Sequence, residues 1–184
     1  RPGQDPHQPT AVVTATVTNS QGAAVVTSSR TTFSTSTTAA NAGTALTVAT
    51  QSMAGVSDGA TYGYSLGGYT GAATDVGNRL TFSSSTSAAG NALATGVYNQ
   101  TTVSDASTYG YCQGGNTGAH VATSQRMTFS TSAWASNAGG NLSGVRQECS
   151  GVSGPAYGYI MGGEAVAGTP LVTTDRLTWS TSNT

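Results

Sequence analysis

The run Gly63-Tyr64-Ser65-Leu66-Gly67 spells Gly-x-Ser-x-Gly, the pattern that lifts a nucleophilic serine clear of a sheet on a strand-to-helix turn. Such a serine needs a base, and His7 and His120 are the two histidines of the chain. His7 lies in an aperiodic stretch containing Pro2 and Pro6, and His120 beside Gly118 reads as a loop residue. The serine does not recur with the pattern around it: the matching positions hold Cys112 and Ile160, and no helical periodicity follows Ser65. No catalytic residue is therefore expected, and the chain reads as non-enzymatic.

The carboxylates read the same way. Asp58 and Asp105 recur in Val-Ser-Asp segments, where a short acid accepts hydrogen bonds from its own turn. Calcium is the alternative ligand, but neither aspartate has a second acid within three residues, so no metal and no cofactor is expected. Asp75 and Asp175 stand near Arg79 and Arg176, which predicts local pairing.

Arg30, Arg79, Arg126 and Arg176 recur at one repeat position. A ring of guanidiniums would hold an acidic glycan or phosphate, while the strict recurrence favours a structural fork onto backbone carbonyls. Tyr62, Tyr64, Tyr109, Tyr111, Tyr157 and Tyr159 offer rings for stacking on sugars, although paired aromatics in strands belong more often to a core. Asn99 and Asn141 each open an Asn-x-Ser/Thr sequon and are candidate glycosylation sites in an exported chain. The hydroxyl-rich surface could also carry O-linked sugar. Cys112 and Cys149 allow one disulfide, which would staple neighbouring repeat units.

The recurrence itself is the strongest signal. Tyr-Gly-Tyr-x-x-Gly-Gly starts at Tyr62, Tyr109 and Tyr157, with steps of 47 and 48 residues. Arg-x-Thr-aromatic-Ser starts at Arg30, Arg79, Arg126 and Arg176, with steps of 49, 47 and 50. Leu46, Leu93 and Leu142 are each followed ten residues later by Val56, Val103 and Val152. A period of this length belongs to propellers, solenoids and arrays. Apolar residues alternate with small ones in Tyr62, Tyr64 and Leu66 and in Leu80 and Phe82, which predicts strands with one apolar face. The Gly-Gly pairs fall where one strand must turn into the next. Ser/Thr tracts around Ser34 and Ser83 recur in register and read as strand ends and turns. Residues 10–19 read as a degenerate fourth copy of the tyrosine strand, with Val13 and Ala15 in place of its tyrosines. The expected organisation is a tail over residues 1–9 and one β-repeat domain over 10–184, with units near 10–45, 46–92, 93–141 and 142–184.

Composition narrows the partners. With 184 residues the chain suits one domain. Only 7% of residues are charged, against roughly 25% in an average soluble domain, and all six basic residues are arginine. At a net charge of -1, neither nucleic acid nor an anionic membrane surface is an expected partner. No apolar run approaches the roughly 20 residues of a spanning helix. The first residue is Arg1, which fits a removed leader, a proteolytic product or a fragment.

The motif order resembles a kelch-type β-propeller repeat of the galactose-oxidase central-domain kind. Leu142-x-x-x-Arg146, a strand ending in Val152, Tyr157-Gly158-Tyr159-Ile160-Met161-Gly162-Gly163 and Asp175-Arg176-Leu177-Thr178-Trp179 follow the kelch order. The resemblance covers residues 30–182 and implies an all-β fold of three full units plus a partial one, a small propeller closed as a four-blade ring or an incomplete one completed by the strands of a partner subunit. The kelch arginine is present only as Arg146, with Thr50 and Val97 at the matching positions. Ser/Thr-rich repeats of this kind are expected in phage tail-fibre-like proteins and bacterial surface proteins.

These features together predict a self-assembling structural subunit of an extracellular fibre or virion appendage, partnered by itself. A glycan-binding adhesin or receptor-binding module is the alternative. The first unit has no Leu-to-Val segment ahead of it, so an intersubunit contact is expected at Thr10, Val12, Val13 and Val17, or at Leu177 and Trp179.

Overall fold

The computed structural model describes residues 26–32, 36–166 and 168–179. The tail, His7, Phe33 and the expected contact residues Thr10, Val12, Val13 and Val17 lie outside them.

The fold is all-β, and the described residues contain no α-helix, only two single 3-10 turns at Ala42–Thr44 and Ala138–Gly140. Unit 1 contributes the hairpin β1 (Ser29–Thr32) and β2 (Thr37–Ala40). Unit 2 is a four-stranded antiparallel meander of β3 (Ala54–Ser57), β4 (Tyr62–Leu66), β5 (Gly77–Thr81) and β6 (Thr86–Ala89). Unit 3 repeats it with β7 (Thr101–Ser104), β8 (Tyr109–Gln113), β9 (Ser124–Thr128) and β10 (Ala133–Ser136). In unit 4, β11 (Ser150–Ser153) and β12 (Tyr157–Met161) lead into a small hairpin of β13 (Glu164–Val166) and β14 (Thr169–Pro170), after which β15 (Thr174–Thr178) pairs with β12.

Register follows the repeat. Tyr64 pairs with Arg79, Tyr111 with Arg126 and Tyr159 with Arg176 across the two middle strands of each sheet. The Gly-Gly pair after each tyrosine strand has positive φ throughout, 61° and 108° at Gly67 and Gly68, a conformation that costs glycine little. The first strands of units 2, 3 and 4 lie against one another, β3 on β7 and β7 on β11.

Apolar burial is concentrated between sheets. One cluster joins Val56, Tyr64 and Leu66 of unit 2 to Leu93, Val97, Cys112, Met127 and Phe129 of unit 3. The second joins Val103 and Tyr111 to Leu142, Ile160 and Leu177 of unit 4. Among the described residues each of the two clusters is shared by two consecutive sheets. Such sharing is expected of a quasi-one-dimensional repeat.

Candidate functional site: the faces that join the units

Side chains alternate across a strand, so every sheet has two faces. The back face carries Val56, Tyr62, Tyr64 and Leu66 in unit 2 and points toward unit 3; the front face carries Gly55, Gly63 and Leu80. Three guanidiniums lie on back-face rings, Arg79 over Tyr62 at 4.7 Å, Arg126 over Tyr109 at 4.5 Å and Arg176 over Tyr157 at 4.5 Å. In units 2, 3 and 4 the repeated arginine is thus a cation-π partner within its own sheet, covering the first tyrosine of the motif, whereas Arg30 donates to Ser85 Oγ at 3.2 Å. Asp58 Oδ1 accepts from the backbone N–H of Ala60, Thr61 and Tyr62, and Asp105 Oδ1 from those of Ser107, Thr108 and Tyr109. These two aspartates fix the turns that deliver the tyrosine strands.

The joint of unit 2 to unit 3 recurs in kind between units 3 and 4. A Cβ on Gly110 would lie 3.2 Å from Val56 Cγ2, and one on Gly158 would lie 2.8 Å from Val103 Cγ2, so each valine packs onto the bare backbone of the next tyrosine strand. Tyr64 stacks on Phe129 at 6.0 Å between centroids, and Tyr111 on Trp179 at 5.5 Å. The second glycine of each pair donates to the next linker, Gly68 to the Val97 carbonyl at 2.7 Å and Gly115 to the Arg146 carbonyl at 2.8 Å. Thr102 Oγ1 and Ser104 Oγ reach back to the carbonyls of Gly55 and Ser57. Burial raises the Tyr64 hydroxyl above its ordinary value, partly offset by its bond to Ser132 Oγ of the next unit at 3.0 Å.

Each linker is stapled to the sheet it enters by the residue preceding the repeated arginine. Asn78 Oδ1 accepts from the Thr47 N–H, Gln125 exchanges two bonds with the Thr95 backbone, and Asp175 Oδ2 accepts from the Ser143 N–H. In unit 4 this carboxylate also takes the guanidinium of Arg146, which is buried, as are Thr50 and Val97 at the matching positions. Arg146 further donates to Thr173 Oγ1 and to the Thr173 carbonyl.

Unit 4 has no following unit among the described residues, and its back face is open. Val152 is 49% exposed, where Val56 and Val103 are 9% and 2% exposed. Met161 is 37% exposed, where Leu66 and Gln113 are at 1% and 0%. Tyr159 is half-buried while Tyr64 and Tyr111 are buried, and Arg176 is exposed while Arg79 and Arg126 are half-buried. This patch is the candidate interaction surface.

The other candidate residues are placed as follows. Ser65 is half-buried, its hydroxyl 3.2 Å from Met53 Sδ with no histidine among its hydrogen-bond partners. His120 is a loop residue whose Nδ1 lies 2.8 Å from the Ala165 carbonyl. Cys112 and Cys149 are free thiols, so the bridge between them is not formed. Burial pushes the Cys112 thiol up to about 12 and also raises that of Cys149. The Asn99 amide donates to Glu148 at 3.0 Å, Thr101 of the same sequon is buried, and Asn141 Oδ1 accepts from the Ser124 N–H, so both sequons are built into the framework.

Two expectations are corrected. Asp175 pairs with Arg146 rather than with its neighbour Arg176, because adjacent strand residues point to opposite faces, and Arg79 lies over the Tyr62 ring rather than against Asp75. Leu177 and Trp179, expected at an intersubunit contact, are committed within the chain: Leu177 is fully buried, and Trp179 stacks on Tyr111 and donates to the Gly154 carbonyl at 2.9 Å.

A second cluster escaped the sequence reading. Tyr69 and Tyr98 meet edge to face at 5.1 Å in the loops that follow the Gly-Gly pairs and the linkers. In the next pair of units the same two positions hold Asn116 and Gln147, bonded to each other at 3.1 Å, and Gln147 Nε2 donates to Glu164 Oε1 at 2.7 Å. The bond from Gln147, with that of the Gly168 N–H, lowers the Glu164 carboxyl below its ordinary value. The signal was the residue after each Gly-Gly, whose type varies and so hides its constant place.

Among the described residues no three His, Cys, Asp or Glu side chains are grouped to hold a metal ion, and no helix is long and apolar enough to cross a membrane. No protein-family model matches the chain, and no curated protein matches it.

Proposed function

We propose that the protein is a structural, self-assembling subunit of an extracellular fibre or virion appendage, built from kelch-like propeller units and without catalytic activity. The observation that carries this reading is the open back face of unit 4, with Val152 49% exposed at a position its counterparts bury. A repeat whose back face is made to receive a front face is a unit of assembly, and a heterologous contact of this kind generates rings or filaments. The four-stranded meanders with Gly-Gly after the second strand support the kelch-like reading. Negative-stain electron microscopy of the purified protein tests the function: rings or filaments are expected, and uniformly single particles at every concentration would overturn it.

A glycan-binding module is the second reading, favoured by the half-buried rings of Tyr69 and Tyr98 beside the amides of Asn99, Asn116 and Gln147. Aromatic rings flanked by amides suit the apolar face and hydroxyl rim of a sugar. Retention of the unassembled chain on immobilised glycans, abolished by Tyr98→Ala, is the outcome that would favour it.

A further inference from the structure

We infer that the back face of unit 4, formed by Val152, Tyr159 and Met161 around the Gly163 N–H, is the docking surface for a second copy of this chain. The inference rests on the self-assembly reading and adds the surface and the partner. Its ground is the comparison of three equivalent faces.

In units 2 and 3 three back-face groups have partners of one kind. Val56 and Val103 meet a glycine, Tyr64 and Tyr111 stack on an aromatic ring, and the N–H groups of Gly68 and Gly115 meet a linker carbonyl. All of these partners come from the front of another unit of the same repeat. In unit 4 the groups are retained, as Val152, Tyr159 and Gly163, while among the described residues Val152 and the neighbouring Met161 stay exposed. The occupant must therefore supply a bare strand backbone opposite a valine, an aromatic ring for a tyrosine, and a carbonyl for an amide. A repeat front face has this chemistry, and in a second copy those of units 3 and 4 are taken by its own units 2 and 3, so the contact falls to the front of its first two units.

The interface lacks a charge-based alternative. Arg176 is the exposed charge on the face, and it already lies on the Tyr157 ring at 4.5 Å. Val152 and Met161 present apolar surface whose burial is worth about 25 cal/mol per Å², so the contact forms by covering area.

The test places a photoreactive benzoylphenylalanine at position 159 of the full chain and mixes equal amounts of isotope-labelled and unlabelled protein before irradiation. Cross-linked peptides that join a labelled to an unlabelled chain are expected, mapping to strand or linker segments of a repeat unit. Cross-links confined to chains of one isotope would show that the chain covers its own face and would overturn the inference. Assembled material without cross-links from position 159 would overturn it while leaving self-assembly intact. Protein that stays single by electron microscopy would overturn both. Val152→Arg is the second variant: loss of assembly with an unchanged unfolding midpoint is expected, and unaltered assembly would contradict the proposal.

Discussion

Asp175 holds the buried guanidinium of Arg146 inside unit 4, at repeat positions that unit 3 fills with Gln125 and Val97 and unit 2 with Asn78 and Thr50. One backbone site thus accepts an ion pair, an amide with an aliphatic residue, or an amide with a hydroxyl, because in all three the residue on the third strand also staples the incoming linker.

Asp175→Ala leaves the Arg146 charge buried without its counter-ion and is expected to destabilise the protein by about 3–5 kcal/mol, as for other broken buried pairs. The double variant Arg146→Val with Asp175→Gln copies unit 3 and is expected to recover most of that loss. Denaturant unfolding measures both. A double variant no more stable than Asp175→Ala would show that the two positions are not interchangeable modules.

The unit joint predicts an asymmetric response to glycine replacement. An added Cβ at position 158 would lie 2.5 Å from Trp179 and 2.8 Å from Val103, whereas one at position 144 meets nothing within 4 Å. Gly158→Ala is expected to cost about 1–3 kcal/mol by overpacking, and Gly144→Ala to be near neutral. Equal midpoints for the two variants in thermal unfolding would contradict the packing of unit 4 on unit 3.

Much of this arrangement was legible in the sequence, since period-two alternation placed the tyrosine strands and the spacing of Val-Ser-Asp identified Asp58 and Asp105 as turn caps. Two things were not. The partner of a strand residue depends on which face it occupies, so the nearness of Asp175 to Arg176 in sequence misled, and Arg146 lay 29 residues away. The repeated arginines looked free to bind carbonyls or anions because nothing in their spacing reveals that the diagonal tyrosine ring lies beneath them. Leu177 and Trp179 looked available because they end the chain's last motif, yet they complete the joint to unit 3.

Acid should loosen the hairpin of β13 and β14 selectively. Glu164 is held as a carboxylate by Gln147 and by the Gly168 N–H, which lowers its pKa below the ordinary range. A lowered folded-state value contributes stability that is present above the unfolded value and is lost as pH falls through the folded one. The protection of the Gly168 amide relative to its intrinsic exchange rate should therefore fall below the usual carboxylate range, and Glu164→Gln should abolish that fall. A protection factor at Gly168 that stays constant with pH in the unsubstituted protein would contradict the bond.

Sedimentation velocity of the unsubstituted protein beside Val152→Arg, across a concentration series, tests the central claim most directly. The open back face of unit 4 predicts concentration-dependent assembly of the former and a single slow species for the latter, with matching thermal unfolding. Identical sedimentation of the two, whether both assembled or both single, would contradict it.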